Sequence, residues 1–142
     1  MSIYKRTFDA TSELGSDGER LVREYYLKQG FEVTDLSDDE NWRASDVDMM
    51  IRKDGGEPLY MEVKSDTETW RTLNIFLELS MERRNSNIIS EGWLLYSLAD
   101  YLVYVCAGTG KMYVMDFEKL REYVRKGIGR FIVFDNPIDD NC

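Results

Sequence analysis

The stretch YMEVKSD, residues 60–66, places a carboxylate and an amine, Glu62 and Lys64, two positions apart in an alternating apolar run. In an extended strand successive side chains point to opposite faces, so these two share one face. A few residues earlier, SDVDMMI carries Asp46 and Asp48 with the same spacing. Acidic oxygens suit a hard divalent cation such as Mg²⁺, which takes one or two carboxylates and keeps waters that a phosphate can replace. A lysine beside them can orient or help deprotonate an attacking water, or neutralise charge growing on a phosphorus centre.

Two strands must bring these groups together. The segments DVDMMIR and PLYMEVK flank KDGGE, a turn-forming cluster, and read as a β-hairpin. With Val47, Met49 and Ile51 facing the core alongside Leu59, Met61 and Val63, odd positions pair with odd, because a slip of one residue would bury the charges. A loop of odd length, Asp54 to Gly56 or Lys53 to Glu57, achieves this with a glycine free to turn left-handed. In that register Asp48 lies opposite Glu62, and Asp46 opposite Lys64. Opposed carboxylates, with Cβ atoms roughly 4.5–5.5 Å apart, repel each other, and a shared cation offsets the repulsion.

A further carboxylate comes from the N-terminal segment SDGERLVREYYLKQG, which reads as a helix with an apolar stripe of Leu21, Val22, Tyr25 and Tyr26 and a stop at Gly30. Glu19 precedes Val22 by three and Tyr26 by seven, which puts it on or beside the core-facing stripe. It also stands at capping-box spacing from Ser16. Both roles are compatible, since a helix start can aim a carboxylate at a site.

The remaining elements follow from period and punctuation. FEVTDL reads as a short strand, SDDENWRAS as a polar loop, and TLNIFLEL as a strand with Leu73, Ile75, Leu77 and Leu79 on one side and Asn74, Phe76, Glu78 and Ser80 on the other. MERRNSNIISEG reads as a loop and WLLYSLA as a short helix. DYLVYVCA and KMYVMDF form a second hairpin across GTGK, DFEKLREYVRKG a helix, and RFIVFD a last strand. GTGK lacks the spacing and the following Ser/Thr of a phosphate loop. Helix, consecutive strands and helix predict one α+β domain over residues 1–142, with a mixed, largely antiparallel sheet flanked by helices.

Composition narrows the chemistry. The chain has 142 residues, 43% of them hydrophobic, which suits one compact core. The absence of histidine excludes imidazole bases, Ser-His and Cys-His pairs and imidazole metal sites. Cys106 and Cys142 provide neither a disulfide framework nor zinc spacing. The first residues have no apolar signal region, and the longest apolar run, YLVYVCA, is too short to cross a bilayer, so the expectation is a soluble intracellular protein without membrane contact. Twenty-seven acidic residues against eighteen basic ones give a net charge of −9. That balance opposes broad coating of a nucleic-acid backbone unless basic residues cluster or a cation screens the approach.

Taken with Glu19 in GERLVREYYLKQGFEV, the pair SDVDMMI and EVK resembles the PD-(D/E)xK nuclease superfamily, and within it the small resolvase-like and phage-type endonucleases. The later runs SDTETWRTLNIFLE and SLADYLVYV are similar to the downstream strands of such proteins, so the resemblance spans most of the chain. The chain departs from the pattern in lacking a proline before the aspartate.

The resemblance implies a restriction-endonuclease-like α/β core and a Mg²⁺- or Mn²⁺-dependent DNA endonuclease of recombination, repair or phage DNA processing, acting on branched or structured DNA. In such an enzyme Asp48, Glu62 and the Val63 carbonyl hold the metal, with Asp46 the second choice for the aspartate, as a ligand of a second metal or a partner of Lys64. Lys64 supports the attacking water and Glu19 is an accessory acid. It also implies DNA as partner, a homodimer, and the cytoplasm of a bacterium or a phage-infected host. Candidate DNA contacts are Arg83 and Arg84 with Asn85, Arg43 with Trp42, and Arg71 with Trp70; Asn74 and Glu78 are candidates for support. The competing reading, favoured by the net charge, is a non-catalytic acidic binding protein, either an inactive nuclease-like fold or a DNA mimic.

Overall fold

Alternating apolar residues build a five-stranded sheet whose two faces are covered by different helices. The computed structural model describes residues 8–43, 45–67, 75, 77–82 and 89–127. In chain order the elements are α1 (Phe8–Lys28), β1 (Glu32–Asp35), α2 (Glu40–Arg43), β2 (Met49–Arg52), β3 (Leu59–Asp66), β4 (Ser80–Glu82) and β5 (Ile89–Glu91). They continue with α3 (Trp93–Tyr96), β6 (Tyr101–Cys106), β7 (Lys111–Asp116) and α4 (Phe117–Gly127). The main sheet has the order β1-β2-β3-β6-β7, and β4 and β5 form a separate ladder. Only β3 and β6 run parallel; the other neighbours are antiparallel. This is the mixed, helix-flanked α+β sheet the sequence predicts.

Strand alternation sorts the core into two clusters. On one face Met49, Ile51, Met61, Val63, Val103 and Val105 pack beneath Val22 and Tyr26 of α1. On the other, Leu102 packs with Leu36, Val47, Trp93, Leu94, Ala99, Phe117 and Val124, beneath α3 and α4. The short α3 is held by Arg121 of α4, which donates through Nε to the Leu94 carbonyl at 2.7 Å and through its guanidinium to the Ser97 carbonyl, while lying over the Phe117 ring. Helix α1 crosses β3 at Gly18, where a Cβ would stand 1.8 Å from Ser65 Oγ and 3.1 Å from Ser65 Cβ. An alanine there would push the Ser65 hydroxyl out of its place.

The hairpin keeps the predicted odd-with-odd pairing, Met49 with Met61 and Ile51 with Leu59. Its turn lies between Arg52 and Leu59, with Asp54 and Gly55 both left-handed. Val47, however, packs against the opposite face from Met49 and Ile51. The cause is a β-bulge: the amide of Asp48 donates to the Met61 carbonyl at 2.9 Å, so Asp48 and Met49 both stand against Met61. The extra residue reverses the alternation upstream of it.

Other expectations need correction. Helix α1 begins at Phe8, so Ser16 lies well inside it and cannot act as its N-cap; this removes the capping-box role for Glu19. The polar loop contains the one-turn helix α2. Leu77–Leu79 are not in a strand, and two three-residue strands, β4 and β5, occupy what reads as a strand end and a loop. Three residues carry too little alternation to announce themselves. The predicted strand RFIVFD, and Leu73, Asn74 and Phe76, lie outside the described residues.

Candidate active site

Glu62 and Lys64 project from β3 onto the α3/α4 face, where their register partners on β6 are Leu102 and Tyr104. Glu62 is fully buried, at 0% exposure. Lys64 Nζ lies 2.9 Å from Glu62 Oε1 and 3.6 Å from Asp46 Oδ2, and 5.2 Å from the centre of the Trp93 ring. The ammonium is thus enclosed by two carboxylates and an aromatic face. Asp46 reaches it from a left-handed residue (φ 55°) after α2. Its backbone is fixed by the chain that follows α3: Ser97 Oγ donates to the Asp46 carbonyl at 3.2 Å and the Leu98 amide donates to the Ser45 carbonyl at 3.0 Å.

The bulge gives Asp48 a different setting from the one simple pairing predicts. Its Oδ2 accepts the Val63 amide at 2.7 Å, filling the gap in the ladder where β2 begins. Its charged neighbours are Asp46 and Lys64 on one side and Asp35 and Glu19 on the other. Asp48 therefore links two groups: Asp46, Glu62 and Lys64 on β3's α3 side, and Glu19 of α1 with Asp35, Ser37 and Asp38 after β1.

The electrostatics show too much acid for the charge available. Burial pushes Glu62 up to about 9, reinforced by Asp46 and opposed by Lys64. Burial pushes Asp48 up to about 6, although the Val63 amide pulls the other way. Burial also raises Glu19 to about 7, with Asp48 and Asp35 adding to the shift. For Lys64 burial works against the charge, but Glu62 and Asp46 outweigh it and the amine is held above its ordinary value. Asp46 Oδ2 and both oxygens of Glu62 are buried without a well-aligned hydrogen bond among the described residues. The Lys64 ammonium, 2.9 Å from Glu62 Oε1 and 3.6 Å from Asp46 Oδ2, offsets part of the cost of burying these oxygens.

A hard cation fits this donor set. Among the described residues no three acidic, histidine or cysteine side chains are already drawn together around one point. The available donors are carboxylate oxygens, with unsatisfied ones on Asp46 and Glu62, and every raised carboxylate would be lowered by a cation.

Two residues that sequence spacing did not single out belong to this site. Trp93 forms its aromatic wall, and Tyr96, at the other end of α3, feels burial first and then Asp46, Lys64, Glu62 and Glu78, which together raise its phenol. Both are some thirty residues from Lys64 in sequence and reach it only through the β3–β6 crossover. Their one signal was the predicted helix WLLYSLA. Glu78 does take a supporting role: its Oε1 accepts the Trp93 amide at 3.4 Å. Trp42 is stacked on Tyr60 with ring centres 4.8 Å apart, which commits its ring to the protein. Arg71, Arg83, Arg84, Trp70, Asn74 and Asn85, and the side chain of Arg43, lie outside the described residues.

No family model and no curated protein matches the chain. Among solved structures, a bacterial homing endonuclease, I-Ssp6803I, matches with a TM-score of 0.60 at 20% sequence identity, over 80% of this chain and 74% of that one. The likeness establishes a nuclease-like α/β fold.

Proposed function

We propose that the chain is a metal-dependent DNA endonuclease of the PD-(D/E)xK kind, hydrolysing phosphodiester bonds. The observation that carries this reading is the partly buried Lys64 ammonium set among Glu62 and Asp46, with Asp48 beside them, on a fold shared with a homing endonuclease. Asp48, Glu62 and the Val63 carbonyl would hold Mg²⁺ or Mn²⁺, with Asp46 as a further ligand or as the partner of Lys64. Bound there, the cation would supply Lewis-acid activation of water and neutralise charge on the phosphate.

The protein's own groups then divide the work. Lys64 stays protonated, since its pKa is raised, so it acts by donating hydrogen bonds to the attacking water and to the developing charge rather than as a base. Glu19, pushed up to about 7, is the carboxylate best matched to exchanging a proton near neutral pH. The Val63 amide holds Asp48 in place. The substrates proposed are branched or structured DNA in recombination, repair or phage DNA processing, cut in the cytoplasm by a homodimer whose two sites meet two strands. No helix among the described residues is long and apolar enough to cross a membrane.

Cleavage of supercoiled plasmid, linear duplex, single strands and a four-way junction, with Mg²⁺, Mn²⁺ or EDTA, tests the proposal. Metal-dependent cutting by the wild type, lost in Asp48→Asn and Lys64→Ala, supports it. No cutting of any of these substrates with either metal overturns it in favour of the acidic binding protein, which the net charge of −9 favours.

A further inference from the structure

The short helix α3 is attached on three sides. Glu78 accepts the amide of Trp93, Arg121 binds the carbonyls of Leu94 and Ser97, and Ser97 Oγ returns a hydrogen bond to the Asp46 carbonyl. The Trp93 side chain is 6% exposed and meets the Phe117 ring edge-on. Its own ring face is turned to the Lys64 ammonium at 5.2 Å. An aromatic face carries negative potential, and its attraction for a cation grows as water is excluded. Glu62 is fully buried beside the same ammonium while the Lys64 side chain is 31% exposed, so the contact is partly shielded from solvent.

The geometry points to Trp93 as a positioning residue: its ring holds the Lys64 ammonium against Asp46 and Glu62, and α3 sets the acid and the amine of the site together. This rests on the endonuclease reading for its role in cleavage, though the hold itself does not. A merely space-filling Trp93 would need only apolar bulk. A positioning Trp93 needs an electron-rich face.

The test compares wild type, Trp93→Phe, Trp93→Leu and protein carrying trifluorotryptophan at position 93, which keeps shape while weakening the ring's negative face. The first readout is the rate at which acetic anhydride acylates Lys64, followed by peptide mass spectrometry, which needs no nuclease activity. Acylation requires a free amine lone pair, so a well-held ammonium reacts slowly. Weakening a partly desolvated cation–π contact should raise Lys64 acylation about fivefold in the Leu and fluorinated proteins and much less in Trp93→Phe. The second readout is plasmid nicking, where kcat should fall by a similar factor with KM little changed. Equal Lys64 acylation in wild type and fluorinated protein overturns the inference, even if Trp93→Leu fails to fold. A wild type that never nicks DNA while fluorination still frees Lys64 retires the endonuclease reading alone and leaves the hold in place.

Discussion

The two faces of the central sheet are made by the same strands yet obey different rules. Beneath α1 the buried residues of β2, β3 and β6 are apolar, apart from the buried hydroxyl of Ser65, and the cluster closes on Val22 and Tyr26. Beneath α3 and α4 the same β3 turns a fully buried Glu62 and a partly buried Lys64 toward Trp93. The first face gains stability from transfer of apolar surface out of water. The second gives some of that stability up, because Glu62 is buried without well-aligned hydrogen bonds among the described residues. The α1 face is mainly apolar packing, with Glu19 and Asp48 at its margin, and the other face holds the cluster of Asp46, Glu62 and Lys64.

The contrast predicts that function and stability separate by face. The largest effect is expected for Glu62→Gln, which should lower metal-dependent nicking by about 10²–10³-fold, the scale of losing a preorganised electrostatic group. Its melting temperature should hold or rise at neutral pH, because a neutral amide replaces a carboxylate that burial disfavours. A marked fall in melting temperature would mean that Glu62 is part of the structural core. On the α1 face Met61→Ala should cost about 2–5 kcal/mol in denaturant unfolding, while the folded fraction keeps its nicking rate.

Next in size is Gly18→Ala, expected to cost about 1–3 kcal/mol because the new methyl collides with Ser65 where α1 crosses β3. The double variant with Ser65→Gly should recover part of the loss, and an absence of coupling would show that helix and strand adjust independently. The last effect concerns pH. Glu62, Glu19 and Asp48 bind their protons more tightly in the folded chain than in the unfolded one, with values of about 9, 7 and 6 against 4.5, 4.5 and 3.8. The stability they confer is complete below about pH 4 and drains away as pH rises toward about 9. The melting temperature of metal-free protein should therefore fall across that window, and Mg²⁺ should flatten the decline. A flat profile without metal would mean that these carboxylates are not shifted.

Much of the site was legible because strands write their geometry in a period of two. Glu62 and Lys64 share a face, as alternation requires, and Asp46 meets Lys64 as the sequence expects, though from a left-handed turn beyond a bulge. The bulge at Asp48 was not legible, since an extra backbone residue leaves no mark in composition. It accounts for both Val47 changing face and Asp48 turning to the Val63 amide. Trp93 and Tyr96 had no local signal beyond the helix WLLYSLA, because the parallel pairing of β3 with β6 that delivers them is a long-range event. Helix α1 starts eight residues before the capping-box serine: FDATSELG is helical without an apolar stripe to show it.

The irregularity at Asp48 ties the chemistry to residue count as much as to residue identity. Asp46 approaches the amine across a bulge, where the chain carries one residue more than its partner strand. Removing Val47 alone would leave every functional group in the protein, yet reverse the parity of the approach and part the acid from its amine. Homologous chains able to do this chemistry should thus preserve the length of that short interval even where its letters drift.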